Sequence, residues 1–259
     1  MKEIKLLALG DVVRPVSCDH IAKNLWRFRK EKGIDLVVAN GENSSDNGGI
    51  DRNSAQTLLS YGVDVITTGN HVFKNNDAKK LLDESKYVIR PANYPDALPG
   101  YGSTLFDAAG KTFLFINVMG VVMMEPLADP FSTVEKILER NSGKYDIAVL
   151  DIHAEATSEK RALAFYFDGR INAIFGTHTH VQTADEHIMP GGTAYITDLG
   201  MCGPDNSALG VDAKCIIEKL RMHTPVKFTV SGTNVTAHGA LFTFDAATGK
   251  ALSVERVKF

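Results

Sequence analysis

Three times within the first 85 residues the chain repeats one plan: an apolar run of strand length, polar residues at its end, then a helix. Ile4–Leu9 runs into Gly10-Asp11, Leu36–Ala39 into Asn40-Gly41-Glu42-Asn43, and Val63–Thr67 into Gly69-Asn70-His71. The helices between them are expected at about Asp19–Lys32, Arg52–Tyr61 and Asn75–Ser85. Asp19 is read as the first N-cap, and Gly33 and Gly62 as stops. This alternation predicts an α/β fold with a mainly parallel sheet, whose ligands gather at the carboxyl ends of the strands.

The rest of the chain continues the plan and then changes character. Pro91, Pro95 and Pro99 mark Val88–Tyr101 as loop. Lys111–Val118 and Ile147–Ile152 read as strands around a helix near Thr133–Asn141, and a helix from Ser158 to about Phe167 follows. Ile171–Phe175 is the next buried strand and ends in Gly176-Thr177-His178-Thr179-His180. Beyond Thr193–Thr197 lie a glycine-rich loop, Gly200–Gly210, and a helix, Lys214–Met222. Val226–Ser231, Asn234–Asp245 and Leu252–Val257 alternate around turn residues, the pattern of an antiparallel C-terminal meander. With no linker or low-complexity tract, residues 1–259 read as a single domain.

Composition narrows the function. The 28 basic and 31 acidic residues leave a net charge of −3, which excludes a protein that holds a nucleic-acid duplex through a basic surface. The basic residues of the first helix, Lys23 to Lys32, then read as a solvated face. Cys18, Cys202 and Cys215 are odd in number and widely spaced, as expected of reduced thiols in a cytoplasmic protein. The N-terminus has no signal-peptide pattern. The longest uncharged apolar run, Thr112–Met124, is too short for a bilayer, which needs about 20 residues, so no membrane partner is expected.

The polar residues at the strand ends form one set: Asp11, Glu42 with Asn43, Asn70 with His71, His153, and His178 with His180. Each has a bland reading alone, as a turn residue, a cap or a hydrogen-bonded core histidine. Two imidazoles one residue apart are harder to dismiss, because side chains at alternate positions of a strand share a face. They could meet at one ion, or at two if the backbone turns. Parallel strands would align the whole set along one rim. Oxygen and nitrogen donors without thiolates suit manganese, iron or zinc, and the set is large enough for two ions bridged by a carboxylate.

These motifs carry a family resemblance. The order Asp11, Gly41-Glu42, Gly69-Asn70-His71, His153 and Gly176-Thr177-His178-Thr179-His180 is similar to that of the calcineurin-like metallophosphoesterases. Two departures, Val13 in place of a histidine and Glu42-Asn43 in place of aspartate, match the bacterial 2′,3′-cyclic-nucleotide 2′-phosphodiesterase-like subgroup. So do Gly10-Asp11-Val12-Val13, Arg90-Pro91-Ala92-Asn93, His153 to Lys160, Gly176 to Thr183 and Asp198-Leu199-Gly200-Met201, over almost the whole length.

The resemblance implies a four-layer α/β/β/α sandwich with mixed sheets and a centre of two metal ions, iron or manganese. Asp11, Glu42, Asn43 and His180 would hold one ion, and Glu42, Asn70, His153 and His178 the other, with Glu42 bridging. His71 would be the general acid, although Val72 leaves open what orients it. Asp151 and Glu155 could fix ligand tautomers or be surface carboxylates. The implied reaction is hydrolysis of a cyclic nucleotide or other small phosphodiester by in-line attack of a metal-bridging hydroxide.

Competing readings are a phosphomonoesterase or nucleotidase, and a regulatory metal-binding protein acting through partners. A metal-dependent amidohydrolase fits less well, since its His-x-His belongs on the first strand. A homo-oligomer is the commonest expectation for such a chain. Arg90 is open between a phosphate ligand and a structural salt bridge, the Gly200–Gly210 loop between a pocket wall and a plain connection, and Trp26 and Phe28 are expected in the core.

Overall fold

Two six-stranded sheets lie face to face in a computed structural model that describes residues 2–229 and 234–259. The first sheet has β1 (Glu3–Val13), β2 (Leu36–Asn43) and β3 (Val65–Thr67) in parallel, with β10 (Met201–Pro204) parallel on the other side of β1. There β11 (Val235–Asp245) pairs antiparallel with both β1 and β10, and β12 (Ala251–Lys258) forms the edge. In the second sheet β5 (Lys111–Met119), β6 (Ile147–His153), β7 (Ala173–Thr177) and β9 (Ala194–Ile196) run parallel. Antiparallel β4 (Ser103–Ala108) and β8 (His187–Ile188) close its two edges.

Strand periodicity divides the apolar residues among three cores. Leu6, Ala8, Leu36, Val38, Phe113, Phe115, Val149, Phe175, Phe242 and Phe244 fill the space between the sheets. The opposite parity of the first sheet, Leu7, Leu9, Val37 and Ala39, packs on α1 (Arg14–Lys32), α2 (Arg52–Ser60) and α3 (Ala78–Glu84). That of the second sheet, Leu114, Ile116, Leu150 and Ile174, packs on α4 (Pro130–Arg140) and α5 (Thr157–Phe167). The result is helix, sheet, sheet, helix, with both sheets mixed. The last helix is α6 (Ala213–Met222), none of whose residues is buried.

Several local expectations are corrected. The first helix begins at Arg14, because Pro15 starts a helical turn without needing an N–H partner, so Asp19 is not its cap. Gly33 does end it, at φ 65°. The third helix is shorter than expected, and β2 runs on through Glu42 and Asn43. Strands β4, β8 and β10 are additions to the expected set; β10 interrupts what the glycines mark as loop. Residues 226–229 form no strand, and the remainder of that expected strand, at 230–231, lies outside the described residues. Trp26 is 57% exposed and lies outside the core that holds Phe28.

Candidate metal centre

The inter-sheet faces change from apolar to polar at the carboxyl ends of their strands. On β2 the side that buries Leu36 and Val38 continues to Asn40 and Glu42. On β6 the side of Ile147 and Val149 continues to Asp151 and His153; on β5, β3 and β7 the last inward positions are Asn117, Thr67 and Thr177. Such polar groups need partners when buried, and they find them in one another. Asp151 accepts from Thr177 Oγ1 at 2.8 Å, from Asn40 Nδ2 at 3.2 Å and from Thr67 Oγ1. Burial pushes the Asp151 carboxyl up to about 6.

This layer sets the tautomer of His153. Thr177 Oγ1 gives its hydrogen to Asp151 and lies 2.9 Å from His153 Nδ1, so it accepts from that nitrogen. Nε2 of His153 is then left with a free lone pair directed at the rim. Around it stand Asn70 Oδ1 at 3.0 Å, His178 Nδ1 at 3.1 Å and Glu42 Oε2 at 3.3 Å. His178 is turned by Glu155, whose Oε2 lies 3.1 Å from its Nε2. Asp151 and Glu155, the two carboxylates that flank His153, thus orient the two imidazoles.

Four electron-pair donors converging at about 3 Å repel one another unless a positive charge stands among them. The surrounding charges make the same demand, and without a cation a proton on His153 would answer it. Burial opposes a charge on His153, but Glu42, Asp11 and Asp151 outweigh it and raise its pKa to about 9. Burial likewise opposes ionisation of Glu42, yet His153 and His71 hold its carboxyl well below the usual range. Burial and the adjacent His153 lower His178 to about 4. Space is reserved as well: a Cβ on Gly69 would overlap both His153 Nε2 and Glu42 Oε2. The residues fit a cation.

A second group adjoins the first. Asp11 Oδ2 accepts from the His178 backbone N–H at 3.0 Å, while its Oδ1 stands 3.8 Å from His180 Nε2. Asp11 Oδ1 and His180 Nδ1 are buried and find no hydrogen-bond partner among the described residues. Burial raises the Asp11 carboxyl, against the pull of His180 and His153. Asn43 faces away from this pair: its Nδ2 donates to Glu42 Oε1 at 2.7 Å, and its Oδ1 lies 3.0 Å from His71 Nδ1.

Those contacts answer what orients His71. Asn43 and Glu42 receive its ring, and Glu42 Oε2 accepts its backbone N–H at 3.0 Å, while Val72 is fully buried in the core. Arg90 makes no ion pair among the described residues. Its buried guanidinium donates to the carbonyls of Pro91, Leu98 and Pro99 and pins the proline-rich excursion. A cavity of about 670 Å³ beside that excursion contains none of the ligand candidates. Asn40, Thr67 and Thr177, which bond to Asp151 beneath the candidate ligands, are residues that motif reading misses; their parity with the buried apolar positions is the available signal.

Known proteins share this arrangement of chain. A 2′,3′-cyclic-nucleotide 2′-phosphodiesterase of Bacillus subtilis is 38% identical over 254 residues, covering 98% of this chain and 96% of that one. A crystal structure described as a novel phosphatase from Mycoplasma pneumoniae superposes with a TM-score of 0.93 at 33% identity, covering 100% of this chain and 94% of the other. A hypothetical protein from Thermus thermophilus gives 0.92 at 36% identity, with 99% of each chain covered. The match to the YmdB-like protein family runs over residues 7–257, through both sheets and every ligand candidate, and this chain belongs to that family.

Proposed function

We propose that this protein is a phosphodiesterase that hydrolyses cyclic nucleotides or other small phosphodiesters at a centre of two metal ions. The carrying observation is the division of Glu42. Its Oε2 faces His153 Nε2 while its Oε1 points the other way and accepts from Asn43 Nδ2, so the two oxygens of one buried carboxylate are available to two ions. Glu42, Asn70, His153 and His178 would hold one ion; Asp11, His180 and Asn43 would complete the other with Glu42. The oxygen and nitrogen donors, without a thiolate, suit manganese or iron. The Bacillus subtilis relative, named for cyclic nucleotides, supports the substrate class. Three free cysteines favour the cytoplasm, and no described helix is long and apolar enough to cross a membrane.

When bound, a cation pair neutralises phosphate oxygens and lowers the pKa of a shared water. The chain's own residues do the rest. Asp151 through Thr177, and Glu155 directly, keep the two imidazole lone pairs aimed inward. Glu42 and Asn43 occupy Nδ1 of His71, leaving Nε2 of this partly exposed ring to hand a proton to the departing alkoxide.

The test is to purify the protein, measure its metals, and assay cyclic nucleotides, a linear phosphodiester and a phosphomonoester beside Glu42→Gln and His71→Ala. About two metal ions per chain are expected, with diesterase activity abolished by Glu42→Gln. His71→Ala should retain its metals while turnover falls by about a hundredfold or more. Full activity in Glu42→Gln would remove the bridging assignment. Normal metal content without phosphoesterase activity on any substrate would favour a regulatory protein.

A further inference from the structure

His178 and His180 stand on a turn held in the left-handed region, at φ 95° and 64°, which non-glycine residues occupy only when their surroundings impose it. The restraint acts on the residue between them. Thr179 donates its hydroxyl to Asp198 Oδ2 at 2.6 Å and its backbone N–H to the same oxygen at 3.3 Å. That oxygen also receives Lys160 Nζ at 2.8 Å, and Lys160 Nζ lies 3.5 Å from the Thr179 hydroxyl. The other Asp198 oxygen accepts the Gly200 N–H at 2.8 Å, and the Gly200 carbonyl accepts the N–H of Asp11 at 3.1 Å. One carboxylate therefore grips the residue between both candidate histidines and, through Gly200, reaches the backbone of Asp11.

The Lys160–Asp198 pair has 0% side-chain exposure on either partner. A pair so buried is a poor source of stability, because desolvating two ions offsets most of their attraction. Its three connections suggest another use: Lys160 lies on the helix that follows His153, Thr179 lies between two candidate ligands, and Gly200 lies beside Asp11. We infer that Lys160 and Asp198 are positioning residues which, through Thr179 and Gly200, hold His178, His180 and Asp11 in place to receive a metal ion. The inference rests on the ligand assignment proposed above.

Manganese alone, titrated calorimetrically into the metal-stripped full chain, tests it. Thr179→Val, which keeps the shape and loses the hydroxyl, is expected to weaken manganese binding by about ten- to a hundredfold. Lys160→Met should do the same, and Thr179→Ser should restore the wild-type affinity. Leu163→Ala, in the outer core on the same helix, should lower the melting temperature and leave manganese affinity unchanged. Wild-type affinity in Thr179→Val, or equal weakening in Thr179→Ser, would overturn the inference. So would weakening in Leu163→Ala, since general loosening would then explain the effect. If Lys160→Met does not fold, the two Thr179 variants still decide. If wild type binds no manganese, or Glu42→Gln binds it undiminished, the ligand assignment itself has failed.

Discussion

The two ligand groups use the same kinds of side chain but are held differently. Around His153 the inward-facing atoms are oriented from behind: Thr177 and Asp151 fix His153, Glu155 fixes His178, and the His71 N–H fixes Glu42. Around Asp11 the backbone and one carboxylate oxygen are held, through Gly200, Thr179 and the His178 N–H, but the remaining ligand atoms are not. Asp11 Oδ1 and His180 Nδ1 are buried without partners, and Asn43 is turned toward His71. A buried polar atom left unpaired costs about 1–3 kcal/mol, so the Asp11 group stands to gain most from an arriving cation. The comparison teaches that one half of the site is organised before binding and the other is completed by it. The His153 half should therefore fill first and empty last.

Gly69→Ala is the most damaging way to test this difference. Its methyl group would overlap His153 Nε2 and Glu42 Oε2, which could make room only by leaving the positions from which they would hold a metal ion. Metal content should collapse and diesterase activity fall by about a thousandfold or more, with circular dichroism unchanged. Next come His153→Ala and His180→Ala, compared by metal analysis after dialysis. The first should lose the tightly held ion, and the second should keep about one ion per chain with activity reduced about a hundredfold. Loss of both ions from His180→Ala would break the comparison.

Asp151→Asn should act more mildly, by leaving the His153 tautomer less firmly fixed. Manganese affinity in calorimetry is expected to drop by about ten- to a hundredfold. Glu155→Gln should have the smallest effect. This carboxylate is half exposed and its hydrogen bond from His178 Nε2 competes with water, so a change of about 0.5 kcal/mol, roughly twofold in manganese affinity, is expected. A larger loss would show that orientation from the surface matters as much as orientation from the core.

Much of this site is legible in the sequence because its residues follow apolar runs at strand ends, where backbone direction alone brings them to one rim. Less legible is the layer beneath. Asn40, Thr67 and Thr177 look like turn residues by type, and only their alternation with Val38, Val65 and Phe175 assigns them to the inter-sheet space. Lys160 cannot be recognised as buried from its own segment, since its partner Asp198 comes from another element. Strand β10, Met-Cys-Gly-Pro, has little local strand character; it exists because Asp11, Val12 and Ala237 offer it neighbours. The start of α1 departs from expectation because Asp19 is a good cap by type, while Pro15 has already opened the helix.

The pairing of β1 with β11 has a consequence for how the molecule is made. Glu3–Leu9 bond to Gly239–Asp245, among the most distant partners the chain contains. The strand that carries Asp11 is thus synthesised long before the strand that covers one of its sides. Contacts so remote in sequence slow folding. The nascent chain would expose Asp11, Glu42 and Asn70 to cellular metal well before His178 and His180 exist to complete the proposed binding set, so metal loading is expected only once the segment through His180 has been made.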